Sequence, residues 1–295
     1  MRHFFYHITL LALLTISMVS CQSEYTVYSG PNHIMFSDTM FVMPVEQGDS
    51  IYRVTISATC AAPHDRRVGV EIVASESNAV EGYHYDLVSS TVTIPAGKLT
   101  ADVELIGHYD NVTIDDSIGV VLRLACDKKD EWSLYGTDTK VMMQKVCPFD
   151  INAFVGPCMV ISSYMQDYMP TKDRLLRYSE LDPDEENTII IRDYFYEGYD
   201  VKIHFTTDDK LNPLLTMEEQ VFGSTAEAFG TIYGNGKIMM YQSTYGPSYY
   251  STCENFIFQY VTLYVAGVGT VGTYMNAVRW LSEDEAEQMR QENYE

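Results

Sequence analysis

Tyrosine side chains beside predicted turns are the groups in this sequence best suited to binding chemistry. Tyr199 follows a Glu-Gly turn, and Tyr245, Tyr249 and Tyr250 fall in a predicted loop that also contains glycine and proline. Flat aromatic faces near polar groups suit sugar rings or a protein partner, because they bury apolar area at little entropic cost. These four tyrosines are the predicted ligand-binding residues. The alternative is burial in a small barrel core, which we expect for Tyr194 and Tyr196 because they alternate with core positions.

No catalytic motif meets its structural requirements. Gly267, Gly269 and Gly272 match the spelling of a dinucleotide fingerprint, but only 23 residues follow and they cannot supply a βαβ unit. The sequence holds neither a Gly-x-Ser-x-Gly elbow nor a His-Glu-x-x-His helix. We predict that the protein is not an enzyme, with a glycosidase built on scattered carboxylates as the remaining alternative.

The charge balance restricts the classes of partner. The chain has 41 Asp and Glu against 19 Lys and Arg, a formal net charge of -22. A surface of this sign repels phosphate backbones and anionic lipid headgroups. We therefore predict no nucleic-acid partner and a membrane attachment made by a lipid anchor alone.

The first residues have the order of a secretory signal. Arg2 precedes an apolar run that is shorter than the about 20 residues a membrane-spanning helix needs. The segment from Met18 to Cys21 that follows resembles the lipobox of bacterial lipoproteins, in which the cysteine is lipidated. Residues 1–20 are thus expected to be a signal peptide, Cys21 the lipid attachment site and residues 21–32 a tether.

Short strand-like segments fill residues 33–146, with no helical pattern between them. Ile51, Val54, Ile56 and Ala58 show the alternation of a strand with one buried face. About eight such segments in roughly 115 residues predict an all-β fold that begins with an immunoglobulin-like β-sandwich.

Three elements in this half are similar to the Calx-beta-type immunoglobulin-like domain of Bacteroidota surface lipoproteins: Asp65 to Val70, Ser77 to Leu87 and Val92 to Gly97. The resemblance implies a sandwich that in some members binds calcium through acidic loops, since calcium takes hard oxygen ligands. Asp110, Asp115 and Asp116 occupy that loop here and are the candidate calcium ligands, with calcium the one candidate cofactor. Their alternative role is that of solvated turn residues.

Residues 147–281 are predicted to form a second antiparallel β domain, a barrel or lipocalin-like fold. The Gly234-Asn235-Gly236 hairpin is its clearest signal, and predicted strands include Ala228 to Tyr233 and Asn255 to Val265. Gly156, the Ile189 to Phe195 strand and Gln220 resemble the lipocalin-like C-terminal domain of unknown function in the same lipoproteins. Residues 282–295 are expected to be a short acidic helix or tail, because Ser282 and Glu285 form a capping box.

Five cysteines remain once Cys21 is assigned to lipid, and export would permit disulfides between them. Cys60 with Cys126, and Cys147 with Cys158, are the pairs that their positions suggest. The connectivity cannot be read from the sequence, five cysteines cannot all pair, and free thiols are the expectation for most of them.

These features predict a lipid-anchored binding protein of the cell envelope, at the surface of the outer membrane or on its periplasmic side. The Bacteroidota resemblance implies an accessory glycan-binding lipoprotein of a polysaccharide-utilisation system. The alternative is a structural, adhesin-like lipoprotein that binds another envelope protein.

Cys21→Ala is expected to abolish lipidation, because the thiol of Cys21 is the predicted attachment point. Metabolic labelling with palmitate checks this, with Cys60→Ala as the matched control. Label recovered on the Cys21 variant would contradict the prediction.

Overall fold

The computed structural model describes residues 28, 30–48, 50–115, 117–127, 130–132, 134 and 136–292. Cys21 and Asp116 lie outside the described residues. Over the described part the fold is all-β, as predicted, with two hydrophobic cores that share no residue.

The first core lies between two sheets that form a β-sandwich. Alternation along the strands turns one face of each sheet inward; in β3 the buried residues are Val54, Ile56 and Ala58. One sheet has the order β1 (Ile34–Phe36), β3 (Ile51–Ala58), β7 (Thr100–Gly107) and β5 (Tyr85–Leu87). The other has the order β2 (Met40–Val45), β9 (Asp138–Lys145), β8 (Ile118–Ala125), β4 (Arg66–Ile72) and β6 (Thr91–Ile94). One strand pair of this sandwich is parallel, because β2 and β9 run in the same direction.

The second core is enclosed by a curled sheet of ten strands. Its order is β14-β13-β12-β11-β10-β19-β18-β16-β15, and β17 also pairs with β18. The strands are β10 (Gly156–Ser162), β11 (Leu175–Leu181), β12 (Thr188–Arg192), β13 (Val201–Phe205), β14 (Leu215–Thr216), β15 (Gln220–Ser224), β16 (Lys237–Gln242), β17 (Tyr249–Ser251), β18 (Phe256–Val265) and β19 (Gly269–Trp280).

Two contacts join the ends of this sheet. The Gln220 side chain accepts a hydrogen bond from the Lys202 N–H at 2.9 Å and donates one to the Lys202 carbonyl at 3.0 Å, so an amide side chain replaces a backbone ladder between β13 and β15. Leu214, just before β14, forms an isolated bridge with Tyr249 of β17. The curled sheet is called the barrel below.

Three helices accompany the barrel in the described residues: α1 (Ser163–Tyr168), α2 (Thr225–Phe229) and α3 (Glu283–Gln291). The capping box predicted for α3 is present at Ser282 and Glu285, and the helix packs Ala286 and Met289 against Leu176. The strand predicted at Ala228 to Tyr233 was wrong. Ser224 caps α2 there, and the left-handed Gly230 (φ 72°) ends it.

A disulfide between Cys147 and Cys253 joins the segment after β9 to the turn before β18. Neither pair suggested by the sequence forms; Cys60, Cys126 and Cys158 are free thiols, in agreement with the expectation that most would be. Close by, the Lys210 ammonium lies 2.7 Å from the Glu46 carboxylate and ties the β13–β14 loop to the sandwich.

Replacing Cys147 and Cys253 together with serine is expected to lower the free energy of unfolding by about 2–4 kcal/mol, because the disulfide closes a long loop. Their separation in the sequence is 106 residues. Thermal and urea unfolding measure the change, with Cys60→Ser as the single-thiol control. Equal stability of the double variant and the control would contradict the expectation.

Candidate functional site

Strand β18 carries aromatic side chains on the outside of the barrel. Along Phe256–Val265 the residues alternate, so that Ile257, Gln259 and Val261 are buried while the rings of Phe256, Phe258 and Tyr260 are only half-buried. Alternation is the geometry of any strand, but here both sets of side chains are large. The barrel therefore presents rings to solvent as well as to its core.

A neighbouring strand extends this row of rings. Tyr249 on β17 pairs directly with Phe258, and their ring centroids lie 5.5 Å apart at an interplanar angle of 22°. The Phe258 and Tyr260 centroids are also 5.5 Å apart, at 67°. Phe256 to Tyr260 covers about 13 Å of strand, at roughly 3.3 Å per residue. We call Tyr249, Phe256, Phe258 and Tyr260 the aromatic face.

A groove of about 550 Å³ adjoins one end of the aromatic face. Tyr245, whose side chain is 85% exposed, stands at its side in the β16–β17 loop. Gly246 lets that loop lie on the Tyr260 ring, since a Cβ there would be 2.9 Å from the ring edge. The groove is lined by three tyrosine rings, a methionine and several hydroxyl groups: Ser163, Tyr245, Tyr260, Thr270, Gly272, Thr273, Tyr274 and Met275.

A cleft of about 800 Å³ adjoins the opposite end. Tyr249 and Phe256 form part of its wall, together with the Cys147–Cys253 disulfide. Five charged residues also line this cleft: Glu46, Lys145, Asp209, Lys210 and Glu254. The aromatic face thus runs from the groove to the cleft, with polar groups at both ends.

The structure separates the four tyrosines predicted from the sequence. Tyr245 lies in the loop as expected, and Tyr249 is 38% exposed on β17. Tyr199 is half-buried against the barrel core. Tyr194 and Tyr196 are buried, as expected.

The placement of Tyr250 in an exposed loop was wrong. It lies on β17 with 3% of its surface exposed, and its hydroxyl donates a hydrogen bond to the Thr206 carbonyl at 2.9 Å. Its ring packs edge-to-face against Phe154 and Phe205, and burial raises its pKa. The alternation that exposes Tyr249 turns the next residue inward.

The sequence reasoning missed Phe256, Phe258 and Tyr260. Their signal was present, because an aromatic residue occurs at every second position from Phe256 to Tyr260. That spacing places the rings on one face of a strand.

The calcium prediction falls partly outside the described residues. Asp110 lies in a short 3₁₀ turn, Tyr109–Asn111, and Asp115 is exposed in the following bend. Within the described residues, no group of three or more His, Cys, Asp or Glu side chains could hold a metal ion. Calcium binding by Asp110, Asp115 and Asp116 stays a prediction.

A comparison with known protein families assigns the second half of the chain to a family. A family model described as "Domain of unknown function (DUF4984)" matches residues 134–292, which is more than half of the 295 residues. The chain belongs to the DUF4984 family. The DUF4984 region contains the whole barrel, helix α3 and the complete aromatic face.

Beyond this family match, the chain is similar to solved structures that are distant from it in sequence. No curated protein matches the chain. The apo-form Calx CBD1 domain is 12% identical, with a TM-score of 0.33, over 39% of this chain and 98% of that domain. An auxiliary nutrient binding protein from Bacteroides thetaiotaomicron is 14% identical, with a TM-score of 0.30, over 82% of this chain and 91% of its own.

A protein of unknown function from Bacteroides ovatus is 11% identical, with a TM-score of 0.34, over 83% of this chain and 90% of its own. At these scores we transfer no residue role or activity to the DUF4984 chain. In the described part of the chain, no helix has the length and hydrophobicity needed to cross a membrane.

The difference in burial between Tyr245 and Tyr250 predicts a difference in how much each ring stabilises the fold. Tyr250→Ala is expected to lower the free energy of unfolding by about 3–5 kcal/mol, because it removes a packed ring from the core. Tyr245→Ala is expected to change it by less than about 0.5 kcal/mol, because that ring is solvent-exposed. Urea unfolding of both variants checks this, and a large loss for Tyr245→Ala would show that the ring is packed in solution.

Proposed function

We propose that this protein binds glycans through the aromatic face and the adjoining groove. The observation that carries the proposal is a row of four partly exposed rings on adjacent strands, bordered by hydroxyl groups. Glycan binding was already expected from the sequence. The proposed binding residues differ in part from the four tyrosines that the sequence predicted. Tyr245 and Tyr249 are kept, Tyr250 is replaced, and Phe256, Phe258 and Tyr260 are added.

The chemistry of a sugar matches both parts of this surface. A pyranose ring has an apolar face of C–H groups that packs on aromatic rings, and hydroxyls at its edge that need hydrogen-bond partners. Tyr249 and Phe258 offer two rings within 22° of parallel, and Ser163 and Thr273 bring hydroxyls into the groove. The length of the face, about 13 Å, exceeds a single sugar ring and favours an oligosaccharide.

The charge of the protein restricts the glycan further. A net charge of -22 disfavours uronic-acid or sulfated chains, because the field of an acidic protein repels them. We expect neutral or amino-bearing glycans to bind better than polyanionic ones.

A protein partner is the second candidate function. Exposed Met275, which pairs with Tyr260 across β18 and β19, adds an apolar group beside the rings. Tyrosine, phenylalanine and methionine are enriched at protein interfaces, so the same surface suits another envelope protein. This would correspond to an adhesin-like or structural role.

The proposed location follows from the sequence expectation alone. Lipidation at Cys21 would hold the protein on the outer membrane, where an accessory role in polysaccharide utilisation places it. Its acidic surface leaves the lipid as the attachment, because anionic headgroups repel it.

The test compares glycan binding by residues 22–295 with binding by three variants of the same segment. These are the single variants Tyr249→Ala and Tyr245→Ala and the double variant that combines them. A glycan array identifies ligands and calorimetry gives affinities. The double variant is expected to lose at least about tenfold in affinity, equivalent to ~1.4 kcal/mol. Tyr178→Ala is the matched control, because Tyr178 is 53% exposed on β11.

A loss shown equally by the control, or affinity retained by the double variant, would contradict the site. The second function, binding of a protein partner, would be favoured by two results together. The protein would bind no neutral or anionic glycan on the array, and it would capture one envelope protein that the double variant does not capture.

A further inference from the structure

A separate groove lies near the hairpin between β18 and β19. Its volume is about 600 Å³, and it is lined by Glu219, Tyr241 and Tyr264 together with the hairpin residues 265–270. Tyr264 lies four residues beyond Tyr260 on the same outer face of β18, roughly 13 Å along the strand. This groove shares Thr270 with the groove beside the aromatic face, but none of the four aromatic-face residues lines it.

Two tyrosine rings form a corner in this groove. Tyr241 on β16 is 38% exposed, and its ring centroid lies 5.9 Å from that of Tyr264, with the rings inclined at 65°. The negative face of an aromatic ring attracts a cation that lies within about 6 Å of the centroid. Two inclined rings at this separation can contact one cation together.

A carboxylate is held beside the two rings. Glu219 Oε1 accepts a hydrogen bond from the Tyr264 hydroxyl at 2.7 Å. This bond is the main cause that raises the pKa of Tyr264. The negative charge is thereby fixed against the ring corner.

We propose that Glu219, Tyr241 and Tyr264 bind the quaternary ammonium group of a small organic cation of the choline type. Rings and one carboxylate are the elements that recognise such groups, and the acidic protein attracts cations in general. A primary ammonium is a weaker fit, because its three N–H donors need acceptors and it is strongly hydrated. Glu219 is the only charged side chain that lines the groove in the described residues.

The experiment titrates the soluble protein with three matched probes and follows tyrosine ring resonances by NMR. Choline is the ligand probe, 3,3-dimethylbutan-1-ol is its neutral isostere, and ethanolamine is its primary-ammonium analogue. Choline is expected to shift the Tyr241 and Tyr264 rings and to bind about tenfold more tightly than either analogue.

Three variants distinguish the contributions. Tyr241→Leu is expected to weaken choline binding about fivefold or more, whereas Tyr241→Phe retains it because the ring face is kept. Glu219→Gln keeps an acceptor for the Tyr264 hydroxyl and removes the charge, so it should weaken choline binding and reduce its salt dependence. Unchanged resonances of the buried barrel residues and an unchanged melting temperature verify that each variant is folded.

Equal binding of choline and the neutral isostere would overturn the proposal, because it would show an apolar groove without cation recognition. Equal or tighter binding of ethanolamine would overturn the quaternary assignment. Absence of any shift at about 100 mM choline would also overturn it, since even exposed cation–π contacts give detectable binding at that concentration. Glycan binding by the aromatic face is unaffected by all three outcomes, because it uses Tyr249, Phe258 and Tyr260.

Discussion

The pairing of two buried amides inside the barrel fixes which side chains of β18 reach the surface. Gln259 on β18 and Asn276 on β19 lie directly opposite each other, each with 1% of its surface exposed. Gln259 accepts a hydrogen bond from Tyr194, and Asn276 accepts one from Ser162. A one-residue slip of β18 would turn Gln259 outward and bury the aromatic face, leaving the Tyr194 hydroxyl without this partner. The outward direction of Phe256, Phe258 and Tyr260 depends on this register.

The pairing of Gln259 with Asn276 also explains a limit of the sequence analysis. The sequence predicted that β18 is a strand, but it did not predict which of its side chains face outward. The segment Asn255 to Val265 was confirmed as a strand, yet both of its faces carry mostly apolar or aromatic residues, so either face was a candidate for the core. A rule that places polar residues outside would expose Gln259 and bury Phe258, the opposite of what the structure shows. The tertiary partner of Gln259, Tyr194 in the bend after β12, decides the direction.

Other features differ in whether their signal was local. Helix α2 was missed although its capping serine, Ser224, and its terminal Gly230 are both in the sequence, so a closer reading of caps would have found it. The Cys147–Cys253 disulfide and the contact of Gln220 with Lys202 join residues far apart in the chain, which no local pattern encodes. The sandwich was predicted well because its strands alternate cleanly between apolar and polar residues.

The position of Tyr249 and Phe258 on paired strands also affects how much side-chain entropy is lost when a ligand binds. Tyr249 and Phe258 are cross-strand neighbours, so each restricts the other before any ligand arrives, and little side-chain entropy remains to be lost on binding. Tyr245, in contrast, stands exposed in a loop and must be ordered by the ligand that it contacts. The strand rings are therefore suited to supply affinity for any apolar sugar face, and the loop ring to discriminate among the ligands that reach the groove. In the proposed glycan site, the acidic surface would therefore select ligands first by charge and the rings would select them next by shape.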